Sequence, residues 1–189
     1  QQAKLRREGQ PPVMAGEIGL VTGAASGIGK ACVDSLLARG AAVIGLDINP
    51  DIETMYADND AFLGITCDVT DEEHIKAALE AGVRQFGGLD ILVLNAGIFP
   101  KSSPIADIPT GIWQKTLDIN LTANLVLMRE AHPLLKLAPR RGKVGIVGSK
   151  NVPAPGPGAV AYSATKAALN QLARVAALEW GADGIRINS

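Results

Sequence analysis

The sequence predicts an α/β fold, a doubly wound parallel sheet sandwiched between two layers of helices. Three observations predict it. Short β-branched runs alternate with longer helical stretches through residues 16–189, the alternation that builds parallel sheets by crossover helices. Most of the runs are continuously apolar, as in Ile91-Leu92-Val93-Leu94, so both sheet faces are expected to be covered. The first run passes through a glycine-rich turn directly into a helix.

The elements follow in order. Strands are expected at Ile18–Thr22, Ala42–Asp47, Phe62–Cys67, Ile91–Asn95, Val144–Gly148 and Ile185–Asn188, each rich in Val, Ile or Leu. Helices are expected at Gly27–Arg39, Asp71–Phe86, Trp113–Leu137 and Ala159–Trp180. Thr70-Asp71-Glu72-Glu73 reads as a capping box, with Thr70 and Glu73 satisfying free donors at the start of the second helix. Gly40 and Gly87-Gly88 stop the first two helices. Pro133 is expected to kink or shorten the third. The fourth carries Leu169, Leu172, Val175 and Leu178 among many alanines. It is apolar nearly all round, so it should be buried on one side by the sheet and on another by a partner subunit, or else lie within a single-subunit core.

Composition narrows the function. The chain has 189 residues, is 47% hydrophobic and 20% charged, and carries a net charge of −1. One globular domain is the expectation, residues 16–189, preceded by a linker or tail at residues 1–15 that opens on Gln1-Gln2-Ala3-Lys4-Leu5-Arg6-Arg7 and breaks at Pro11-Pro12. A balanced charge gives no footprint for nucleic acid or an acidic membrane. No apolar run approaches the ~18 residues of a membrane span, and no signal-peptide h-region is seen. Cys32 and Cys67 read as small core residues in a reducing, cytoplasmic setting. His74 and His132 have no ligand-type spacing with them, so no metal site is expected.

The glycine-rich turn is Thr22-Gly23-Ala24-Ala25-Ser26-Gly27-Ile28-Gly29. Gly23 permits the sharp exit from the strand, Gly27 lets backbone approach a pyrophosphate, and Gly29 allows the helix to pack closely on the sheet. Free N–H groups and the dipole of the helix N-terminus then face the phosphates. Asp47 ends the second strand, where a carboxylate reaches the ribose hydroxyls of the adenosine half. It would repel a 2′-phosphate, and Ile48-Asn49-Pro50-Asp51 offers no cation to attract one. NAD is therefore expected rather than NADP.

Tyr162 and Lys166 stand four apart on the last helix, so they share one face. A phenol ionises near pH ~10. A neighbouring ammonium favours the phenolate, which makes the tyrosine a usable proton donor or acceptor. Ser149 lies upstream, after the fifth strand.

With these parts in this order, the chain resembles the short-chain dehydrogenase/reductase family, with its Rossmann-type sheet, across essentially its whole length. The matching residues are Thr22-Gly23 with Gly27-Ile28-Gly29, Asp68-Val69, Asn95-Ala96-Gly97, Asn120, Ser149, and Tyr162 with Lys166. The resemblance implies that Tyr162 is the catalytic acid/base and that Ser149 hydrogen-bonds the same substrate oxygen. It implies that Lys166 holds the nicotinamide ribose and that Asn120 connects a proton relay to solvent. Gly23, Ser26, Gly27, Ile28, Gly29 and Asp47 would cradle the cofactor, Asp68 and Val69 would frame its adenine, and Asn95, Ala96 and Gly97 would line its cleft. Many relatives carry a second asparagine where this chain has Leu94. Relatives also continue into a Pro-Gly turn, a substrate lid and a last strand, a C-terminal part absent here.

Ser149-Lys-Asn-Val-Pro-Ala-Pro-Gly-Pro-Gly158, Ala176-Ala-Leu-Glu-Trp180 and the Ala3–Arg7 lead-in further resemble the dehydrogenase half of bifunctional rhamnulose-1-phosphate aldolase/lactaldehyde dehydrogenases. The expected function is NAD-dependent interconversion of an alcohol and a carbonyl on a small hydroxylated or sugar-derived substrate, by a homo-oligomer (dimer or tetramer). Its rivals are a 3-oxoacyl reductase or polyol dehydrogenase, and a catalytically silent NAD-binding module.

Overall fold

The computed structural model describes residues 11–189; the first ten residues of the expected linker lie outside it. Six parallel strands form one sheet: β1 (Ile18–Thr22), β2 (Ala42–Asp47), β3 (Phe62–Thr66), β4 (Ile91–Leu94), β5 (Lys143–Ile146) and β6 (Arg186–Asn188), in the order β3-β2-β1-β4-β5-β6. The chain thus winds outward from β1 in one direction and from β4 in the other. Register is set by pairs such as Leu20 with Ile44 and Leu20 with Leu92. The crevice between the carboxyl ends of β1 and β4 is where such sheets bind ligands.

Five α-helices connect the strands: α1 (Gly27–Ala38), α2 (Glu72–Phe86), α3 (Thr110–Leu117), α4 (Ala123–Lys136) and α5 (Val160–Trp180). Alternation along the strands divides the core in two. Leu20, Ile44, Leu92, Leu94, Val144 and Ile146 pack with Ile75, Leu127, Leu135 and Leu169 beneath α2, α4 and α5. Val21, Val43 and Ile91 pack with Val33, Leu36 and Ile52 on the α1 side. The expected three-layer, doubly wound sheet is what forms.

Three local expectations need correction. The α2 cap is Asp71, whose carboxylate accepts from the N–H groups of Glu73 and His74. Thr70 instead donates to Asp68 at 2.7 Å; a carboxylate one residue nearer the helix displaces the hydroxyl. The third helix begins earlier than Trp113 and is broken by a π-helical turn at Asp118–Thr122. The last part, α4, carries Pro133 inside it and runs on to Lys136, one residue short of the expected Leu137. Short 3-10 turns at Pro50–Glu53 and Ile105–Asp107 were not foreseen. The segment just before β1 is docked: Met14 N–H donates to the Arg39 carbonyl at 3.0 Å.

Candidate active site

The β1–α1 turn brings Gly23, Gly27 and Gly29 together under tight steric limits. A Cβ at Gly29 would stand 1.9 Å from the Gly23 carbonyl oxygen, so no larger residue lets α1 start this close to the strand. Gly27 has φ +53° and nothing within 4 Å of its Cβ position, because it faces open cleft. Ser26 precedes α1 but makes no side-chain cap. The first N–H donors of the helix are thus left for an outside acceptor.

Thr22 and Asn95 lock the two halves of the sheet at the crevice. The fully buried Thr22 hydroxyl accepts from Asn95 N–H and Ala96 N–H, both at 3.0 Å. Asn95 Nδ2 returns a bond to the Thr22 carbonyl at 3.0 Å and another to Gly23 at 3.2 Å. Asp47 adds a second brace: one carboxylate oxygen accepts from Ala25 N–H at 2.9 Å, the other from Asn49 N–H at 3.0 Å.

These elements enclose a cleft of about 950 Å³, lined by Gly23, Ser26, Gly27, Ile28, Asp47, Asp68, Val69, Asn95, Ala96 and Gly97, within the range of small-molecule and cofactor sites. Ile28 and Ile48 stand 60% and 70% exposed at its rim, apolar surface ready for an aromatic base. The Asp68 carboxyl is held below the usual carboxylate range, first by the Thr70 hydroxyl and then by the Thr70 N–H. The open Gly27 cradle, the uncapped helix start and the carboxylate beside two isoleucines fit a dinucleotide.

Sequence reasoning missed part of this wall. Ile48, Cys67, Gly111, Gln114 and Asp118 also line the cleft. The first two adjoin strand ends that were correctly placed, and position alone could have found them. The others come from α3 and the π-turn, whose geometry has no simple sequence signal.

Tyr162, Ser149 and Lys166 lie beyond the wall of this cleft, and Asn120 connects the two regions. Asn120 is fully buried. Its Oδ1 accepts from Ile98 N–H at 2.8 Å, while its Nδ2 donates to the Ile98 carbonyl at 2.9 Å and to Thr165 Oγ1 at 3.3 Å. Thr165 in turn donates to the Tyr162 carbonyl at 2.8 Å. The carbonyl of Asn120 itself accepts from the Asn124 side chain at 2.8 Å. That bond satisfies a backbone oxygen in the π-turn.

Lys166 Nζ stands 5.7 Å from the Tyr162 ring centre and donates to the Val147 carbonyl at 2.8 Å. Burial pushes its ammonium below the ordinary lysine value. Ser149 Oγ accepts from Asn151 N–H at 3.1 Å, which folds the start of the Pro/Gly loop back on the serine. Phe99 lies against Tyr162, ring centres 4.6 Å apart and tilted by 50°.

The sequence model of the family described as short chain dehydrogenase matches residues 17–189. The chain belongs to the short-chain dehydrogenase family. It is 35% identical over 179 residues to D-threitol dehydrogenase of Mycolicibacterium smegmatis, covering 92% of this chain and 68% of that protein. It is 37% identical over 180 residues to the uncharacterized oxidoreductase YuxG of Bacillus subtilis, covering 92% of this chain and 26% of YuxG. The chain therefore spans about a quarter of one of these relatives and about two thirds of the other. Among solved structures, carveol dehydrogenase from Mycobacterium avium in complex with NAD superposes with a TM-score of 0.88 at 30% identity, covering 94% of this chain and 70% of that one. Short-chain dehydrogenases are oxidoreductases, and the six-stranded parallel sheet flanked by helices is the fold shared with this solved relative. Among the described residues no helix is long and apolar enough to cross a membrane, and no cluster of metal-ligand type occurs.

Proposed function

We propose that the protein is an NAD-dependent oxidoreductase that interconverts an alcohol and a carbonyl on a small hydroxylated substrate. The observation that carries this reading is the hydrogen-bonded run from the dinucleotide cleft to the backbone of the tyrosine, Ile98 to Asn120 to Thr165 to the Tyr162 carbonyl. When bound, NAD supplies the hydride acceptor. The chain's own residues bind and orient it and handle the proton.

Gly23, Ser26, Gly27, Ile28 and Gly29 hold the pyrophosphate, and Asp47 takes the adenosine ribose and excludes a 2′-phosphate. Asp68 and Val69 flank the adenine, and Asn95, Ala96 and Gly97 floor the cleft. Tyr162 takes the proton from the substrate hydroxyl during oxidation or returns it during reduction. Ser149 donates to the same oxygen and stabilises charge developing there. Lys166 binds the nicotinamide ribose and places its cation beside the phenol. Asn120 carries the proton path from Lys166 towards solvent. D-threitol dehydrogenase and NAD-bound carveol dehydrogenase both bear names of alcohol-oxidising enzymes, which supports this reaction class.

Three wider parts of the reading rest on other features. Leu178 is 85% exposed on α5, with Val175 and Gln171 on the same face and Leu125 exposed on α4. Such an apolar strip supports a homo-oligomer. The likeness of the Ser149–Gly158 loop and the Ala3–Arg7 lead-in to aldolase/lactaldehyde dehydrogenase fusions supports a fused upstream aldolase-type domain and a lactaldehyde-like substrate. Two free cysteines fit a reducing cytoplasm.

Tyr162→Phe tests the central claim. It should abolish NAD reduction by alcohol while leaving NAD affinity within about threefold, as expected when only the proton-transfer group is removed. Normal turnover in that variant would sink the mechanism.

A further inference from the structure

Phe99 is a large aromatic side chain, 57% exposed, packed against the residue expected to handle the proton. An aromatic ring offers a ligand a large apolar surface. This one is also held in place from both sides. Immediately before it, Ile98 is clamped through both backbone groups by the buried Asn120 side chain. Shortly after it, Ser103 N–H donates to the Gly158 carbonyl at 2.9 Å, and Ser103 pairs with Ala159 in an isolated parallel bridge. The loop bearing Phe99 is thereby joined to the loop that follows Ser149. Beyond Lys150 and Asn151 that loop runs Val152-Pro153-Ala154-Pro155-Gly156-Pro157 without charge, and its prolines remove three backbone donors.

We propose that Phe99 is a specificity-determining residue: its exposed ring receives the hydrocarbon side of the substrate, so this site takes alcohols bearing a methyl or alkyl group beside the reacting carbon in preference to fully hydroxylated polyols. The proposal rests on the oxidoreductase reading above and adds the substrate class. A substrate oxygen hydrogen-bonded to the Tyr162 hydroxyl at about 2.7 Å brings the neighbouring carbons alongside the Phe99 ring. A methyl group there covers apolar surface. A hydroxymethyl group in the same place loses water hydrogen bonds against a ring that cannot replace them.

The test uses 1,2-propanediol and glycerol, which differ by a methyl against a hydroxymethyl group. Steady-state NAD reduction and ligand-observed NMR binding to the NAD-saturated protein are measured for the wild type, Phe99→Ala and Phe99→Leu. In the wild type, kcat/KM should favour propanediol by about tenfold or more, within the ~100-fold by which an apolar pocket discriminates against an added hydroxyl. Phe99→Ala should cut that preference at least fivefold, mainly through KM, and Phe99→Leu should retain most of it. NAD affinity within twofold of wild type in both variants confirms an intact fold. An unchanged propanediol-to-glycerol ratio in Phe99→Ala, by rate and by NMR, overturns the proposal. So does a wild type without preference. An NMR preference that depends on Phe99, in a protein that forms no NADH with either alcohol, would support the substrate class while overturning the oxidoreductase reading.

Discussion

The Lys166 ammonium donates to the Val147 carbonyl at the end of β5 while standing 5.7 Å from the Tyr162 ring. The lysine is only 5% exposed. Its charge is thus carried at a desolvation cost, offset by one strong backbone acceptor and the facing ring. A purely structural role would be better filled by a neutral side chain.

Lys166→Met should separate these contributions. NAD reduction should fall about a thousandfold, within the range for loss of a group serving acid–base chemistry. Stability should change little, because the desolvation cost disappears as the Val147 carbonyl loses its partner, at about 1–3 kcal/mol. Calorimetry should give a thermal midpoint within about 5 °C of wild type at pH 7. Burial lowers the lysine's affinity for its proton in the folded state relative to 10.5 in the unfolded chain. The wild type should therefore gain stability relative to the variant as pH rises towards 10.5. An active Lys166→Met variant would remove the lysine from the mechanism.

Asp47 braces its loop, with Ala25 N–H and Asn49 N–H each on one of its oxygens, and is proposed to take the adenosine ribose as well. Asp47→Ala should weaken NAD binding by about ten- to a hundredfold, the worth of a charged hydrogen bond. It should also raise NADP affinity relative to NAD. Fluorescence titration with both nucleotides reads the ratio; if it does not move, Asp47 does not select the cofactor.

Cys67 is 2% exposed, and its thiol is pushed up to about 11, first by burial and then by the nearby Asp68 and Asp71 carboxylates. The folded state keeps this proton where the unfolded chain, at 9.0, releases it. That contribution is present below pH 9 and is lost as pH rises through about 11. Urea unfolding of the wild type should weaken across this window more steeply than that of Cys67→Ala. Parallel pH profiles for the two proteins would refute the assignment.

Leu178 and Val175 should matter to assembly more than to folding. Leu178→Glu with Val175→Lys places charge on an exposed apolar strip of α5. Equilibrium sedimentation should show a shift to smaller species with the monomer's circular dichroism retained. An unchanged mass would show that the strip is not the contact.

Much of this was legible because the physics is local. Gly23, Gly27 and Gly29 are required where β1 turns into α1, and a one-dimensional spacing records that requirement. Asp47 ends β2 and Asn95 directly follows β4, strands whose apolar runs are unmistakable, so their place at the crevice follows from topology alone. The helix around Asn120 was not legible. Its apolar spacing reads as one continuous helix, and the π-turn accompanies long-range bonds from Ile98 and Thr165 to the Asn120 side chain and a bond from Asn124 to its carbonyl. The Asp71 cap was missed for a related reason: Thr70 and Asp71 both suit the position, and the nearby Asp68 carboxylate captures the Thr70 hydroxyl.

The π-turn at Asp118–Thr122 also restricts how this chain can change length. Successive helical residues are offset by about 100°, so one residue more or fewer swings everything beyond it to a different face. Deleting a residue here would restore an unbroken helix and carry Asn120 away from either Ile98 or Thr165. Helices usually absorb an insertion or deletion near their frayed ends. This one has a fixed count in its middle, and lineages that alter the flanking loops freely would still have to inherit those five residues as a unit.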